Sequence, residues 1–346
     1  MRKYAIVIFG GNSYEHDISI VSAIVVMKEL DKCNIDYIPI YISYDGIMYT
    51  GDALKDKSNY SSKKKFEVCN IISNGTYYFF KSRMRKYYVD YIIPIVHGKG
   101  IEDGTLASLL EITNLPYGSS SLETSCILQN KYLTKLILKT IDINVCPFVI
   151  LNKDNYLQKI SKLNKEKEYI IKPNSLGSSI GVLASSYEKL KDDILKCLKY
   201  ENDILVEEKL DNLIEYINKK NNTILSFKDK YEEFSLSNEK KFLSTDNEIL
   251  RKEIYDIAIK VFKKFNCRGI VRFDFLFDGK NKVLYFNEAN TIPGSLSLYL
   301  FERAGFSSKE IFLKLKNISF IAFKEKNLHF NVYSESNLNK INTNKY

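Results

Sequence analysis

Arg272-Phe273-Asp274-Phe275-Leu276 and Phe286-Asn287-Glu288-Ala289-Asn290-Thr291-Ile292-Pro293-Gly294 read as two β-strands joined through the polar stretch Asp278-Gly279-Lys280-Asn281-Lys282. In a strand, residues two apart share a face. Arg272 and Asp274 therefore lie together, as do Glu288 and Asn290. Phe273, Phe275 and Phe277 take the other side of the first strand, which suits packing. A hairpin that pairs the two polar faces gathers a cation, two carboxylates and an amide. Hard oxygen ligands of this kind suit Mg²⁺, with substrate phosphates completing the shell. The bland alternative is a surface ion-pair ladder. Pairing Asp274 with Glu288 makes partnered residue numbers sum to an even value. That predicts a three- or five-residue loop at 278–282 and excludes a two-residue turn in regular pairing.

Upstream, residues 247–265 place Ile249, Leu250, Ile254, Ile257, Val261 and Phe265 at helical spacing and predict an amphipathic helix leading into the hairpin. At the N-terminus, residues 3–9 form a buried-type apolar strand that ends at Gly10-Gly11. A helical pattern follows from Ile18 to Leu30, then strands at 37–42 and 91–96 and a helix at 105–112. This alternation predicts an α/β domain with a doubly wound parallel sheet over residues 1–118. Residues 44–80 are turn-rich and polar, with a hairpin signal at Asn74-Gly75. A middle unit over 119–202 reads as a helix from Leu122 to about Lys139, a strand at 146–151, a charged helix at 154–164 and a strand at 169–172. A glycine-marked loop, a short strand and a helix at 187–199 complete it. The last unit spans 203–324 and opens with a strand at 203–208. The tail, 325–346, is rich in Asn, Ser and Lys and is expected to be partly mobile.

A chain of 346 residues is long enough for two or three domains. No apolar run approaches the roughly 20 residues that span a bilayer, so no membrane association is expected. Six cysteines (33, 69, 126, 146, 197, 267) are scattered with no C-x-x-C pair, which points to free thiols in a reducing cytoplasm. Histidine occurs only at 16, 97 and 329, none at ligand spacing to a cysteine, which argues against zinc. The net charge of +9 comes from lysines spread along the chain, with no dense basic block beyond Lys63-Lys64-Lys65. A nucleic-acid partner is therefore not expected.

Three further polar segments follow strands, where α/β proteins place their sites. They are Gly10-Gly11-Asn12-Ser13-Tyr14-Glu15-His16, His97-Gly98-Lys99-Gly100-Ile101-Glu102-Asp103-Gly104 and Lys172-Pro173-Asn174-Ser175-Leu176-Gly177-Ser178-Ser179-Ile180-Gly181. A strand ending in Lys, followed by a Gly/Ser loop, can cover triphosphate oxygens through backbone N–H groups and hydroxyls. It is not a Walker A loop, because no Gly-Lys-Ser/Thr closes it.

Taken in order, these segments, with Leu115-Pro116-Tyr117, Val206-Glu207-Glu208, Arg272-x-Asp274-Phe275 and Asn287-Glu288-x-Asn290-Thr291-x-Pro293-Gly294, resemble the D-alanine–D-alanine ligase family of the ATP-grasp superfamily over roughly residues 3–310. The resemblance implies an ATP-grasp fold, with two ATP-grasp subdomains after the N-terminal domain, and a cytoplasmic enzyme of peptidoglycan synthesis. It implies that ATP phosphorylates the carboxylate of one D-alanine and that the amine of a second attacks the acyl phosphate. It also implies that Asp274, Glu288 and Asn290 hold two Mg²⁺ (or Mn²⁺) ions on the phosphates. Lys131 and Lys172 resemble phosphate-contacting lysines, and Ser178 and Ser179 belong to the loop over the γ-phosphate. Glu207 falls near the adenine amine, and the backbone of Glu208 and Leu210 edges the ring. Arg272, with the backbone near Gly294, resembles the oxyanion stabiliser. Glu15 is implied to bind the first substrate's ammonium and to join Ser178 in a catalytic hydrogen-bond set. His97 lies near that substrate, and Ser297 meets the second substrate's carboxylate. The structural alternatives are an N-cap at Ser297 and a strand-end histidine at His97. Homodimers are common in the family.

The chain departs from the pattern in places. The ribose-binding Glu is matched by Glu215 only with a one-residue shift, and the neighbouring Arg position is apolar. The lid segment Phe227-Lys228-Asp229-Lys230-Tyr231-Glu232 is only distantly similar, with Lys228 or Lys230 as the phosphate-reaching lysine. The spacing from Gly294 to Ser297 is shorter than the family's, and Ile101 replaces a glycine. These departures touch pockets, lid and ribose and spare the metal ligands. A related ligase with another amino-acid or hydroxy-acid pair, and a non-catalytic nucleotide-binding module, stand as alternatives.

Overall fold

Every residue from Ala5 to Phe9 is buried, as a strand covered on both faces requires. That strand is β1 (Lys3–Gly10) in a computed structural model that describes residues 2–62, 65–73, 78–82, 85–210, 213–214 and 248–328. It pairs in parallel with β2 (Tyr37–Ile42) and, through a later segment, with β6 (Arg85–Ile95). The expected parallel sheet is thus the three-strand core β2-β1-β6. Between them β3 (Met48–Thr50), β4 (Glu67–Ser73) and β5 (Tyr78–Ser82) run antiparallel and close the sheet on itself. The turn expected at Asn74-Gly75 lies outside the described residues, but β4 and β5 on either side of it do pair antiparallel. Helix α1 (His16–Lys32) follows β1, and α2 (Thr105–Ile112) follows β6.

A single helix is expected from Leu122 to about Lys139, but the chain breaks at Asn130 into α3 (Leu122–Gln129) and α4 (Lys131–Lys139). Asn130 is extended, and its Oδ1 accepts from Leu133 N at 2.9 Å, an N-cap that competes with helix continuation. Asn174 satisfies the next two amides. Its carbonyl accepts from Lys131 N at 3.0 Å and its Oδ1 from Tyr132 N at 2.9 Å. The break therefore docks the start of α4 onto the loop after Lys172.

The second sheet has the order β7-β10-β8-β9, from β7 (Phe148–Leu151), β8 (Glu168–Pro173), β9 (Leu183–Ser186) and β10 (Ile204–Glu208). Ile171, Ile204 and Val206 on one face pack on α5 (Tyr156–Ile160) and α6 (Leu190–Cys197). Both helices are shorter than the sequence pattern predicts. The other face presents Lys172 and Glu207, as alternation requires.

The third sheet holds β11 (Leu213–Ile214) and the hairpin of β12 (Arg272–Asp278) and β13 (Val283–Asn290). Phe286 and its neighbours Phe273 and Phe275 pack with α3, α4 and α7 (Glu248–Lys264) through Leu128, Leu138, Val261 and Phe265. After the hairpin, α8 (Leu298–Arg303) and α9 (Ser308–Leu328) return to the first core, where Leu298, Phe312 and Leu315 are buried with residues of β1 and β6. This return brings the end of the hairpin against the N-terminal loops. The expectation of a mobile tail falls mainly on residues 329–346, outside those described.

Candidate active site

The hairpin pairs Asp274 with Glu288 and Arg272 with Asn290, so the polar face is assembled as predicted. The loop prediction needs correction. The register shifts between Asp274 and Phe275, because Phe275 faces Phe286 and Asn287 is an extra residue on β13. Past this β-bulge the partner sums become odd, and four residues, 279–282, join the strands. The bulge lets Phe286 enter the core while Asn287 and Glu288 both line the cleft. Arg272 chelates Asp274, with Nε to Oδ1 at 2.8 Å and Nη2 to Oδ2 at 2.9 Å. Burial works against the guanidinium's charge, but Asp274 and Glu288 more than offset it and raise its pKa. Asn290 Nδ2 lies 3.5 Å from Asp274 Oδ2. No group of three His, Cys, Asp or Glu able to hold a metal occurs among the described residues. The hairpin set is instead two carboxylates and an amide, all hard oxygen donors.

Facing the hairpin is a line of buried lysines. Lys131 Nζ donates to Leu176 O, and burial lowers its pKa although Glu288 pulls the other way. Lys172 Nζ sits 2.7 Å from Glu207 Oε2 and 3.5 Å from Asn287 Oδ1. Burial disfavours its charge, yet Glu207 holds its pKa above the ordinary value. Glu207 has a second cation, Lys135 Nζ, 2.8 Å from Oε1. That contact is close but poorly aligned, because neither Lys135 Nζ nor Glu207 Oε1 has a hydrogen-bond partner. Burial raises the Glu207 pKa, but Lys172 and Lys135 outweigh it and keep it low.

Glu15 stands where three loops meet. It is buried, and Ser178 Oγ donates to its Oε1. A Cβ on Gly98 would lie 2.5 Å from Glu15 Oε2, and one on Gly177 would lie 2.7 Å from it. Only glycine lets both loops close on the carboxylate. Gly98 also has φ +83°, which side chains rarely adopt. Ser178 and Ser179 are themselves left-handed, at φ 52° and 59°, a costly backbone for non-glycine residues.

Glu102 ties the second loop to the end of the hairpin. It accepts from Gly98 N at 2.9 Å, Ile292 N at 3.0 Å and Thr291 Oγ1 at 3.2 Å. Burial, with help from Glu15, pushes its pKa up to about 7. Burial pushes His97 down to about 4, so the ring is neutral at pH 7; its Nε2 lies 3.1 Å from Ser22 Oγ. Beyond Gly294, residues Ser295, Leu296 and Ser297 form a left-handed run at φ 49°, 54° and 48°. Ser297 occupies the N-cap position of α8 without a side-chain cap bond, so capping does not account for it.

One cleft is lined by Glu15, Glu102, Lys131, Gly177, Glu288 and Asn290. Lys172 joins it through Asn287, and Arg272 through its strand partner Asn290. Glu208 and Leu210 lie at and just past the end of β10, where Glu208 pairs with Tyr169. Glu215, Lys230 and the lid segment around them are outside the described residues. Sequence reasoning missed Lys135 and gave Glu102 and Asn287 no role. Lys135 had a signal: it is one helical turn from Lys131, and the two share the buried face of α4 while Leu133 and Leu136 face solvent. All six cysteines are free, and no described helix is long and apolar enough to cross a membrane.

Residues 4–120 match the model of the D-ala D-ala ligase N-terminus, and residues 137–315 that of the D-ala D-ala ligase C-terminus. The chain is 37% identical to a D-alanine–D-alanine ligase of Nitratiruptor sp., over 86% of this chain and 90% of the relative. It is 32% identical to one of Thermosipho melanesiensis, over 92% and 94%. The structure of the D-alanine-D-alanine ligase from Coxiella burnetii superposes with a TM-score of 0.78 at 25% identity, covering 96% of this chain and 99% of that one. The fold, the order of motifs and these matches agree: the chain belongs to the D-alanine–D-alanine ligase family and has its ATP-grasp fold.

Proposed function

We propose that this protein joins two D-alanines at the expense of ATP, through an acyl phosphate, to supply a peptidoglycan precursor. The observation that carries this reading is the convergence of Glu15, Lys131, Lys172, Glu288 and Asn290 on one cleft in a chain of this family. Residues 1–118 hold the first substrate, and 119–202 and 203–324 clasp the nucleotide.

The first D-alanine sets its ammonium against Glu15, whose carboxylate is fixed by Ser178 and the two glycines, with neutral His97 beside it. Lys131 and Lys172 neutralise the phosphates, and Ser178 and Ser179 bring loop hydroxyls and amides over the γ-phosphate. Glu207, the backbone of Glu208 and Leu210, and then Glu215 follow the adenine and ribose, with Lys230 reaching phosphate. The carboxylate attacks the γ-phosphorus and ADP leaves. The second amine then attacks the acyl carbon, and inorganic phosphate leaves. Arg272 and the backbone at Gly294 stabilise the tetrahedral oxyanion. Ser297 receives the second carboxylate.

Asp274, Glu288 and Asn290 fit Mg²⁺, since Asp274 pairs with Glu288 across the strands and Asn290 lies beside Asp274, three oxygen-bearing side chains together. Two such ions, when bound, neutralise charge on the transferring phosphoryl group. We infer a cytoplasmic homodimer, following the family pattern.

The test is phosphate release from ATP with D- and L-amino acids offered singly and in pairs. Release that requires D-alanine, with D-alanyl-D-alanine as product, is the expected result. Release only with another pair replaces the substrate assignment, and no release with any amino acid leaves a nucleotide-binding module.

A further inference from the structure

We propose that Lys135 is a positioning residue that balances the charge of Glu207 so that Lys172 is free to leave it for the nucleotide phosphates. The inference rests on the ATP reading above and deepens it.

Three buried charges form one cluster. Lys135 is 1% exposed at its side chain, Glu207 4% and Lys172 8%. Glu207 divides its two oxygens between the lysines, Oε1 to Lys135 and Oε2 to Lys172. The lysines come from different elements, α4 and β8, so each can move without the other. Only Lys172 also reaches toward the hairpin, where Asn287 Oδ1 is 3.5 Å away beside Glu288. It therefore stands between a carboxylate it already holds and the place where phosphates arrive.

A lone Lys172–Glu207 pair could not make this transfer cheaply. Moving Lys172 to phosphate would strand a buried carboxylate, which is strongly unfavourable. Lys135 removes that obstacle, because Glu207 keeps one cation when the other departs. Its Nζ already lies 2.8 Å from Oε1, so Glu207 keeps a cation in contact as Lys172 leaves. The ring of Phe148, whose centroid is 6.0 Å from Lys135 Nζ, lines the same site. Lys135 touches neither substrate nor metal in this scheme.

The test compares ATP with adenosine, which has the base and ribose but no phosphate, as ligands of the full chain with Mg²⁺. Lys135→Met should lower the ratio of ATP to adenosine affinity by roughly tenfold or more. Lys135→Arg should keep the wild-type ratio. The double variant Lys135→Met/Glu207→Gln should restore it to within about threefold, because Glu207 no longer needs a cation. If Lys135→Met does not fold, Lys135→Gln takes its place. An unchanged ratio, or equal loss for both ligands, overturns the inference and makes Lys135 a packing residue. A lowered ratio that the double variant fails to restore also overturns it, since Lys135 would then bind phosphate itself. A wild-type protein that binds adenosine no worse than ATP fails at the ATP reading instead, before any variant is compared.

Discussion

Glu207 and Asp274 are both carboxylates held by cations, but Glu207 is 4% exposed between lysines from two other elements, whereas Asp274 is 32% exposed and chelated by Arg272 of its own strand. Glu207 cannot be left without any cation except at a large desolvation cost, so it acts as a fixed point. Asp274 is partly hydrated, and its bond to Arg272 can be exchanged for another cation at little cost. The two sites teach that a charge anchor and an exchangeable ligand set can stand on two different sheets of one molecule. Substitutions at the two carboxylates should therefore have opposite signatures.

The largest expected effect is on turnover. Asp274→Asn or Glu288→Gln should reduce D-alanine-dependent ATP hydrolysis by roughly a thousandfold or more, with the melting temperature nearly unchanged. Normal turnover in either variant would sink the metal assignment. At the anchor the pattern reverses. Glu207→Gln strands two buried lysines and should cost about 3–5 kcal/mol of stability in urea unfolding, against less than about 1 kcal/mol for Asp274→Asn. Equal costs would erase the distinction.

A third buried carboxylate, Glu102, sharpens the comparison because it has no cation partner among its hydrogen bonds. Its pKa, pushed up to about 7, means that the folded protein keeps a proton which the unfolded chain gives up near 4.5. Stability from this group is present below about 4.5 and is lost as pH rises toward 7. His97, pushed down to about 4, works the other way, so its contribution grows as pH rises from 4 to 6.5. The two partly cancel in the wild type. The difference between wild type and Glu102→Gln should isolate a slope worth roughly 3 kcal/mol between pH 4.5 and 7. Parallel pH–stability curves would refute the shift.

Smaller effects test the framework that positions these groups. Gly177→Ala places a Cβ 2.7 Å from Glu15 Oε2 and should raise KM for the first amino acid by about tenfold with little loss of stability. Asn130→Ala removes the cap of α4 and should cost about 1 kcal/mol. A wild-type KM in the first, or wild-type stability in the second, would remove that residue from the account.

Much of this was legible in the sequence, for physical reasons. Strand alternation assigned Arg272, Asp274, Glu288 and Asn290 to one face because period two holds on either side of the bulge. The bulge itself was not legible, since an extra residue leaves no mark in a polar-apolar pattern that already varies. The 122–139 pattern stays helical across Asn130, and the cap at Asn130 together with its tertiary partner Asn174 explains why it breaks there. The helical spacing of Lys135 from Lys131 is readable, but its burial is not, because buried lysines are rare without a partner and Glu207 lies 72 positions away. The glycines at 98 and 177 were visible as loop marks, but their joint grip on Glu15 depends on three distant segments meeting.

The most direct test of the central claim follows one oxygen atom. D-alanine labelled with ¹⁸O in its carboxylate is incubated with ATP, Mg²⁺ and the protein, and the released phosphate is analysed by mass. Acyl-phosphate chemistry predicts one ¹⁸O in each phosphate formed with dipeptide. Phosphate released without the label would contradict it.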